Sequence, residues 1–469
     1  MAKRLTPLSG LDAGFLYLEA AGTPMHVGSL MLIEPPKKRG YDFHDALLAH
    51  IAERLPRAPA LRRVLHEAPL DIGHPIWSEA ESLDLRRHLH RRRLPGRGGR
   101  QSLMRLVGRL HAEALPRDEP LWRFVVIEKI EDGLVALYAK VHHALLDGQG
   151  GIALAQALLD IEPKPVRRRT AKKASGAANE RVRRRDLAST AGRASLGQFA
   201  KLLRAVPATL KLAGGIRQAT RLAGNLRENL LLAPRTPWNR QIGPARSFAA
   251  VTLPLEESKR LARAAGVSLN DIVLAVCAGA LREVLSRTGE LPRKPLVAAM
   301  PVSLRESGNQ EVNNQVSMVQ CSLATDVADP LERLRAIHAS TAQIKQRVAA
   351  MKGLIPTDFP GLAAPLWATG LSRLWRRGRI AERLPPLANV AISNVPGPPM
   401  DLYLAGARLR HYYPVSIVTH GLALNITVQS YAGQLEFGLT ACPDALDRPE
   451  RLANAIVASA QQLSQALSA

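Results

Sequence analysis

RFVVIEKIEDGLVALYAKVHHALLDGQGGIALAQALL, residues 123–159, holds two strand-like runs, Arg123 to Ile130 and Leu134 to Val141. Between them lies Glu131-Asp132-Gly133, turn chemistry that predicts a hairpin. The second run leads straight into His142-His143, and Ile152 to Leu159 then reads as a helix. Strand, polar loop and helix follow in close succession, and residues 1–162 alternate helical and strand-like patterns throughout.

The loop itself reads His142-His143-Ala144-Leu145-Leu146-Asp147-Gly148. A neutral histidine suits deprotonation of a hydroxyl, because its ordinary pKa lies near working pH. Adjacent residues of an extended chain point to opposite faces, so only one of the pair addresses a given channel. Asp147 is placed to hold the loop or orient the imidazole, and Gly148 to permit the tight turn into the helix. Rival readings compete. A histidine pair at a strand end is commonly structural. Metal binding by His142, His143 and Asp147 is disfavoured, since neighbouring strand histidines reach one ion with difficulty. Gly148-Gln149-Gly150-Gly151-Ile152-Ala153 formally matches a dinucleotide fingerprint, but six residues separate it from the strand and no second strand with an acidic end follows. No G-x-S-x-G is present, so a serine-hydrolase route lacks its nucleophile elbow.

Outward from this segment, 469 residues exceed one ordinary core. Composition divides them into residues 1–162, a segment 163–245, and residues 246–469. The middle segment carries 19 Lys/Arg against the three acids Glu180, Asp186 and Glu228, so sixteen of the net +24 charges lie there. It reads as a basic linker, disordered first and helical later. Such a patch attracts polyanions: nucleic acid, anionic lipid or phosphorylated substrates. The near-absence of aromatics there (Phe199 and Trp238) argues against a nucleic-acid reader. No apolar run reaches the ~18–20 residues of a membrane span, and no apolar region follows Met1-Ala2-Lys3-Arg4 to suggest a signal peptide. Cys277, Cys321 and Cys442 fit neither a disulfide framework nor a zinc pattern, and a reducing, cytoplasmic compartment is expected.

In the last region Ser268 and Asp271 form a capping-box pattern ahead of an apolar helix, Ile272 to Leu285. Asn270 falls in that helix's first turn, where the backbone amides and dipole suit an oxyanion or an acceptor hydroxyl; helix capping alone is the plainer reading. Ser393-Asn394-Val395-Pro396-Gly397-Pro398 is a rigid turn by composition. Leu424, Ile426 and Val428 alternate with polar residues, and Ala432-Gly433-Gln434 leads into Leu435-Glu436-Phe437 as a second hairpin. His26, His411 and His420 are read as structural.

These motifs resemble, in order and nearly end to end, the bacterial wax ester synthase/diacylglycerol acyltransferase family, part of the superfamily of chloramphenicol acetyltransferase and peptide-synthetase condensation domains. The match runs through Leu8-Ser9-Gly10-Leu11-Asp12-Ala13, Thr23-Pro24-Met25-His26-Val27-Gly28, Pro120-Leu121-Trp122 and the His-His-x-x-x-Asp-Gly loop. It continues through Ser268 to Ala275, Pro301-Val302-Ser303-Leu304-Arg305, Ile392 to Pro398, Tyr413-Pro414-Val415-Ser416 and Leu424 to Thr427; the basic segment matches poorly. The resemblance implies an α/β fold of mixed sheets flanked by helices: two chloramphenicol-acetyltransferase-like domains, 1–162 and 246–469, joined by the basic linker, with a reaction tunnel between them. It implies that His143 is the base and Asp147 mainly structural, with Arg305 a candidate ion partner. His142 and Asn270 join the expected catalytic group; Gly148, Ser393 and Asn394 are expected to border substrate. Acyl-CoA is the implied donor and a long-chain alcohol or diacylglycerol the acceptor, with no metal or cofactor and no nucleic-acid partner. Peripheral contact with an anionic membrane face or lipid inclusion is expected through the basic segment. A condensation domain acting on carrier-protein thioesters is the nearest alternative; no carrier domain adjoins it here.

Overall fold

The computed structural model describes residues 5–20, 22–68, 73–96, 98–145, 148–163, 185–190, 192, 232–303, 316–351 and 384–468. The first part of the chain supplies β1 (Thr6–Pro7), α1 (Gly10–Leu18), β2 (His26–Glu34), α2 (Phe43–Arg54), β3 (Arg63–His66) and β4 (Ile76–Glu79). It continues with β5 (Leu89–Arg93), α3 (Arg100–Ala112), β6 (Trp122–Glu128), β7 (Val135–His142) and α4 (Gly148–Leu158). The second part begins with β8 (Ser247–Pro254), α5 (Leu255–Ala265), α6 (Leu269–Thr288), β9 (Val297–Ser303), β10 (Val316–Ser322) and α7 (Pro330–Met351). It ends with β11 (Val390–Val395), β12 (Tyr403–Leu404), β13 (Ala407–Val415), β14 (Leu424–Tyr431), β15 (Gln434–Ala441) and α8 (Pro449–Ser468).

These strands form two six-stranded sheets, β12-β13-β2-β7-β6-β5 and β10-β9-β11-β14-β15-β8, and a small sheet β1-β4-β3. Both large sheets are mixed: β5–β6 and β11–β14 run parallel, β6–β7 and β14–β15 antiparallel. The expected first hairpin is present. Its turn places Asp132 (φ 65°) and Gly133 (φ 69°) in left-handed conformations, which is what an Asp-Gly pair tolerates. The expected helix after the histidine loop begins earlier than its periodicity suggests, with Gly148 as its first residue.

The capping box is realised in full: the Ser268 side chain accepts from the Asp271 amide, and the Asp271 carboxylate accepts from the Ser268 amide. The helix so started, α6, lies nearly all within the C-terminal core with Ile426, Phe437 and Ile456. β14 departs from its alternating pattern, because Asn425 (8% exposed) and Thr427 (7%) are buried too. The strand is covered on both faces, and its polar side chains satisfy each other: Thr427 Oγ1 donates to Asn425 Oδ1 at 2.8 Å, and Asn425 Nδ2 donates to the Ile417 carbonyl at 3.0 Å.

Two features cross the expected boundaries. Residues 403–415, within the C-terminal region by sequence, complete the N-terminal sheet: β13 pairs antiparallel with β2, Tyr413 opposite Leu30. Residues 232–245, the end of the basic segment, are packed rather than linker-like. Trp238 is 2% exposed in the C-terminal core, and Asn239 bridges the Ala388 and Gly421 carbonyls. Phe248 and Ala250 of β8 share a core cluster with Leu30, Val107 and Tyr413, so apolar packing is continuous between the two sheets. The backbones meet closely at Gly438, where an added Cβ would lie 1.7 Å from the Pro414 carbonyl oxygen. Among the described residues no single helix is long and apolar enough to cross a membrane; α5 and α6 together pass by composition only, bent by 102°.

Candidate active site

The histidine loop is fixed by its strand. His142 closes β7 opposite His26, its amide donating to the Leu121 carbonyl and that of His143 to the Met25 carbonyl, both at 2.9 Å. Thus Pro120-Leu121-Trp122 serves as scaffold, and Trp122 is buried with its indole N–H donating to the Leu61 carbonyl at 2.8 Å. A short 3-10 turn, His143–Leu145, follows. It turns the two imidazoles into different surroundings.

His142 is 1% exposed. The Ala144 amide donates to its Nδ1 at 3.0 Å, so a lone pair must sit there and the ring proton is on Nε2. That Nε2 lies 3.3 Å from Glu19 Oε1, close but off the line of a good hydrogen bond. Glu19 caps the C-terminus of α1, and Ser9 starts that helix by accepting from the Asp12 amide. Arg117 Nη2 donates to Glu19 Oε2 at 2.9 Å. Burial pushes the Glu19 carboxyl up, but His142 and Arg117 outweigh it and hold the group below its ordinary value, hence ionised.

His143 is partly exposed, with its ring stacked on Phe15 at 3.8 Å between centroids and 15° between planes. Among the described residues, its enclosed Nδ1 has no hydrogen-bond partner on another residue. Burial, only partly offset by its own backbone carbonyl and reinforced by His142, pushes its pKa down to about 4. At neutral pH the imidazole is therefore a free base.

Behind the pair, His26 is fully buried, 3.6 Å from Glu19, and its pKa is pushed well down, chiefly by burial. His111 accepts from the Tyr138 hydroxyl at 2.7 Å and donates from Nε2 to the Ser416 carbonyl at 3.0 Å; burial takes it down to about 3. Ser416 belongs to the Tyr413–Ser416 motif, so this C-terminal motif anchors a histidine of the N-terminal sheet.

At the start of α6, Asn270 Oδ1 accepts from Asn394 Nδ2 at 3.4 Å, so the structure brings these two expected site residues together. Asn394 shares a face of β11 with buried Val390 and Ile392, and Ser393 points to the opposite face. Asp271 is 0% exposed and fully engaged: it accepts from the Ser268 amide, from the Thr341 hydroxyl at 2.7 Å and from His338 Nδ1 at 2.9 Å. Asp147 and Arg305 lie outside the described residues, as does Arg167–Arg184 of the basic segment. His411, read as structural, binds fully buried Glu436 at 2.9 Å, which also accepts from Thr252 at 2.6 Å. Among the described residues the group with metal-compatible spacing is Asp42, His44 and Asp45, where Arg91 already pairs with both carboxylates.

Glu19 and Phe15 carried no sequence signal of their own. The hint lay in their spacing: residues i and i+4 of one helix, behind a Ser-x-x-Asp cap, share a face.

Comparison with known proteins adds to this geometry. The profile of the wax ester synthase/diacylglycerol acyltransferase catalytic domain matches residues 8–273, and that of the family's C-terminal domain matches residues 312–464. A Mycobacterium tuberculosis protein named as a probable diacylglycerol O-acyltransferase is 36% identical over 97% of this chain and 98% of its own. Another from that organism, also named for diacylglycerol O-acyltransfer, is 38% identical over 98% of this chain and 100% of its own. Among solved structures, the wax ester synthase/diacylglycerol acyltransferase of Marinobacter aquaeolei VT8 superposes with a TM-score of 0.72 at 31% identity, covering 99% of this chain and 100% of that one. The first condensation domain of the calcium-dependent antibiotic synthetase superposes with a TM-score of 0.53 at 16% identity, covering 100% and 96%. That likeness speaks for the fold alone.

Proposed function

Given that the chain belongs to the wax ester synthase/diacylglycerol acyltransferase family and is an O-acyltransferase, we propose that it moves a long-chain acyl group from acyl-CoA to diacylglycerol or a fatty alcohol, with His143 as general base. The observation that carries the reading is the state of His143: a partly exposed imidazole, stacked on Phe15 and kept unprotonated by burial.

The imidazole takes the proton of the acceptor hydroxyl as its oxygen attacks the thioester carbonyl. The C–O bond forms, the carbonyl electrons move onto oxygen and return as the C–S bond breaks, and the imidazolium gives its proton to the departing thiolate. Ester and free CoA result, with no acyl-enzyme. Asn270, held by Asn394 at the positive end of α6, is assigned the developing oxyanion or the acceptor hydroxyl. Asp147 is assigned to the loop's integrity, and Gly148, Ser393 and Asn394 to the border of the substrate channel. The donor, the acceptors and the ternary-complex route need no metal or cofactor.

Acceptor and product are nearly insoluble in water, so the reaction belongs at a lipid surface. The basic segment, with sixteen net positive charges, supplies the electrostatic attraction, each residue near an anionic surface contributing about 1 kcal/mol. Sedimentation with phosphatidylglycerol vesicles at low salt, released by raised salt, tests that placement. The central test is incubation with palmitoyl-CoA and either hexadecanol or a diacylglycerol, with thin-layer separation of products. His143→Ala should lose ~10²–10⁴-fold in turnover with an unchanged melting temperature; near-normal turnover by the folded variant removes His143 from the mechanism.

A further inference from the structure

Phe15 of α1 and Glu19, the residue that caps α1 and donates its amide to the Phe15 carbonyl, address the two neighbouring histidines separately. Phe15 stacks on His143, and the Glu19 carboxylate lies 3.3 Å from His142 Nε2. The sequence offered Asp147 as the orienting acid; the geometry supplies a different one, 128 residues earlier in the chain. We propose that Glu19 is a positioning residue for the acyl-transfer reaction, fixing the tautomer of His142 and thereby the turn that presents His143.

Three observations converge. The Ala144 amide claims the Nδ1 lone pair of His142, so its ring proton is on Nε2, the nitrogen that lies 3.3 Å from Glu19. Rotating or re-protonating that ring breaks the Ala144 bond, and Ala144 is the residue after His143. Second, the carboxylate is itself held, by Arg117 on one oxygen and by the Met25 amide, at 3.4 Å, on the other. Met25 also carries the carbonyl that receives the His143 amide, so a single residue ties the carboxylate to the turn. Third, no competing acceptor among the described residues satisfies the His142 Nε2–H: that nitrogen is buried, with the Glu19 carboxylate beside it. An imidazole whose partner is withdrawn has two tautomers of similar energy, and only one is compatible with this turn.

The inference rests on His143 being the base, and its test is separable from the test of that base. Glu19→Gln keeps an acceptor oxygen for Nε2–H. Glu19→Asp keeps the charge but withdraws the carboxylate by one methylene. Turnover of palmitoyl-CoA and hexadecanol is measured on folded full-length protein, together with the long-range proton–nitrogen correlation spectrum of histidine-labelled samples. Glu19→Gln is expected to keep kcat within about threefold and to leave His142 as the Nε2–H form. Glu19→Asp is expected to lose about 10–100-fold in kcat with KM for palmitoyl-CoA within about threefold, and His142 should show mixed tautomers. A fixed tautomer and normal kcat in Glu19→Asp overturn the proposal, as does a Glu19→Gln variant impaired as much as Glu19→Asp. If His143→Ala is inactive while both Glu19 variants match the parent enzyme, only the positioning role falls.

Discussion

In each half of the molecule a carboxylate at a helix terminus faces histidine, Glu19 and Asp271, and the two are treated differently. Asp271, at the N-terminus of α6, accepts from an amide, a hydroxyl and an imidazole and has its partners in good geometry. Glu19, at the C-terminus of α1, meets an arginine well but two histidines only loosely, at 3.3 and 3.6 Å. The former network closes on itself, which gives rigidity. The latter leaves buried nitrogens on His26, His142 and His143 unmatched. Unmatched buried polar groups cost about 1–3 kcal/mol each, and they persist where a site needs a group held ready rather than saturated. The difference separates a carboxylate whose partners are saturated from one whose neighbours are not.

Acid should separate the halves most strongly. His26, His50, His88, His90, His111 and His143, all in the N-terminal half, have their pKa values lowered, in each case chiefly by burial. The unfolded chain then binds more protons than the folded one from about pH 6.5 down to each folded value, about 4 for His143 and about 3 for His111. Stability therefore falls as pH drops through that window, by up to about 1.4 kcal/mol per unit per histidine. Asp271, lowered by its hydrogen bonds against the upward push of burial, stabilises above its ordinary value of 3.8 and gives that up only below it. Hydrogen exchange at pH 5 should find β2 and β7 opening before β11 and β14; simultaneous opening would erase the distinction.

Asp271→Ala comes next, with an expected loss of about 3 kcal/mol in chemical denaturation, since it strands the Ser268 amide, Thr341 and His338 at once. A loss below about 1 kcal/mol would mean that this network contributes no more than an ordinary helix cap. Gly438→Ala probes the seam between the halves. Its Cβ meets the Pro414 carbonyl, backbone against backbone, so about 1–3 kcal/mol should be lost as β13 and β15 are forced apart. Smallest is Asn394→Ala, which removes one long bond of 3.4 Å and should cost about 0.5 kcal/mol in stability. A fall in kcat beyond tenfold with that small stability change would assign Asn270 and Asn394 to the reacting centre.

What the sequence made legible was written within a few residues. The Glu131–Gly133 turn, the Ser268–Asp271 cap and the hairpin at Ala432–Gln434 depend on neighbours along the chain, and all three appear where their residue types put them. The position of the histidine loop was legible too: the second strand of the hairpin ends at His142, and His143 opens the turn that follows. What was not legible depends on residues brought from far away. Glu19 reads as an ordinary acid ending a helix, and nothing local ties it to His142. Trp238 reads as a lone aromatic in a basic tract, yet it is core. The burial of Asn425 and Thr427 follows from a second covering layer, which a two-residue period cannot announce.

β13 joins β2 from almost four hundred residues away, and this fixes the order in which the protein is assembled. When the first 245 residues have emerged from the ribosome, β5, β6, β7 and β2 exist, but β2 is an open edge. It stays open until Val415 is synthesised. Pairings of such sequence separation form late and slowly, because a long loop must close first. Meanwhile the bare edge, flanked by Leu30, Leu32 and Tyr138, is a template for pairing with another nascent chain. The N-terminal sheet, which carries the histidines, is thus completed only once residue 415 has been made, and a chain truncated before residue 407 would carry the whole His-His loop on a sheet lacking its β13 neighbour.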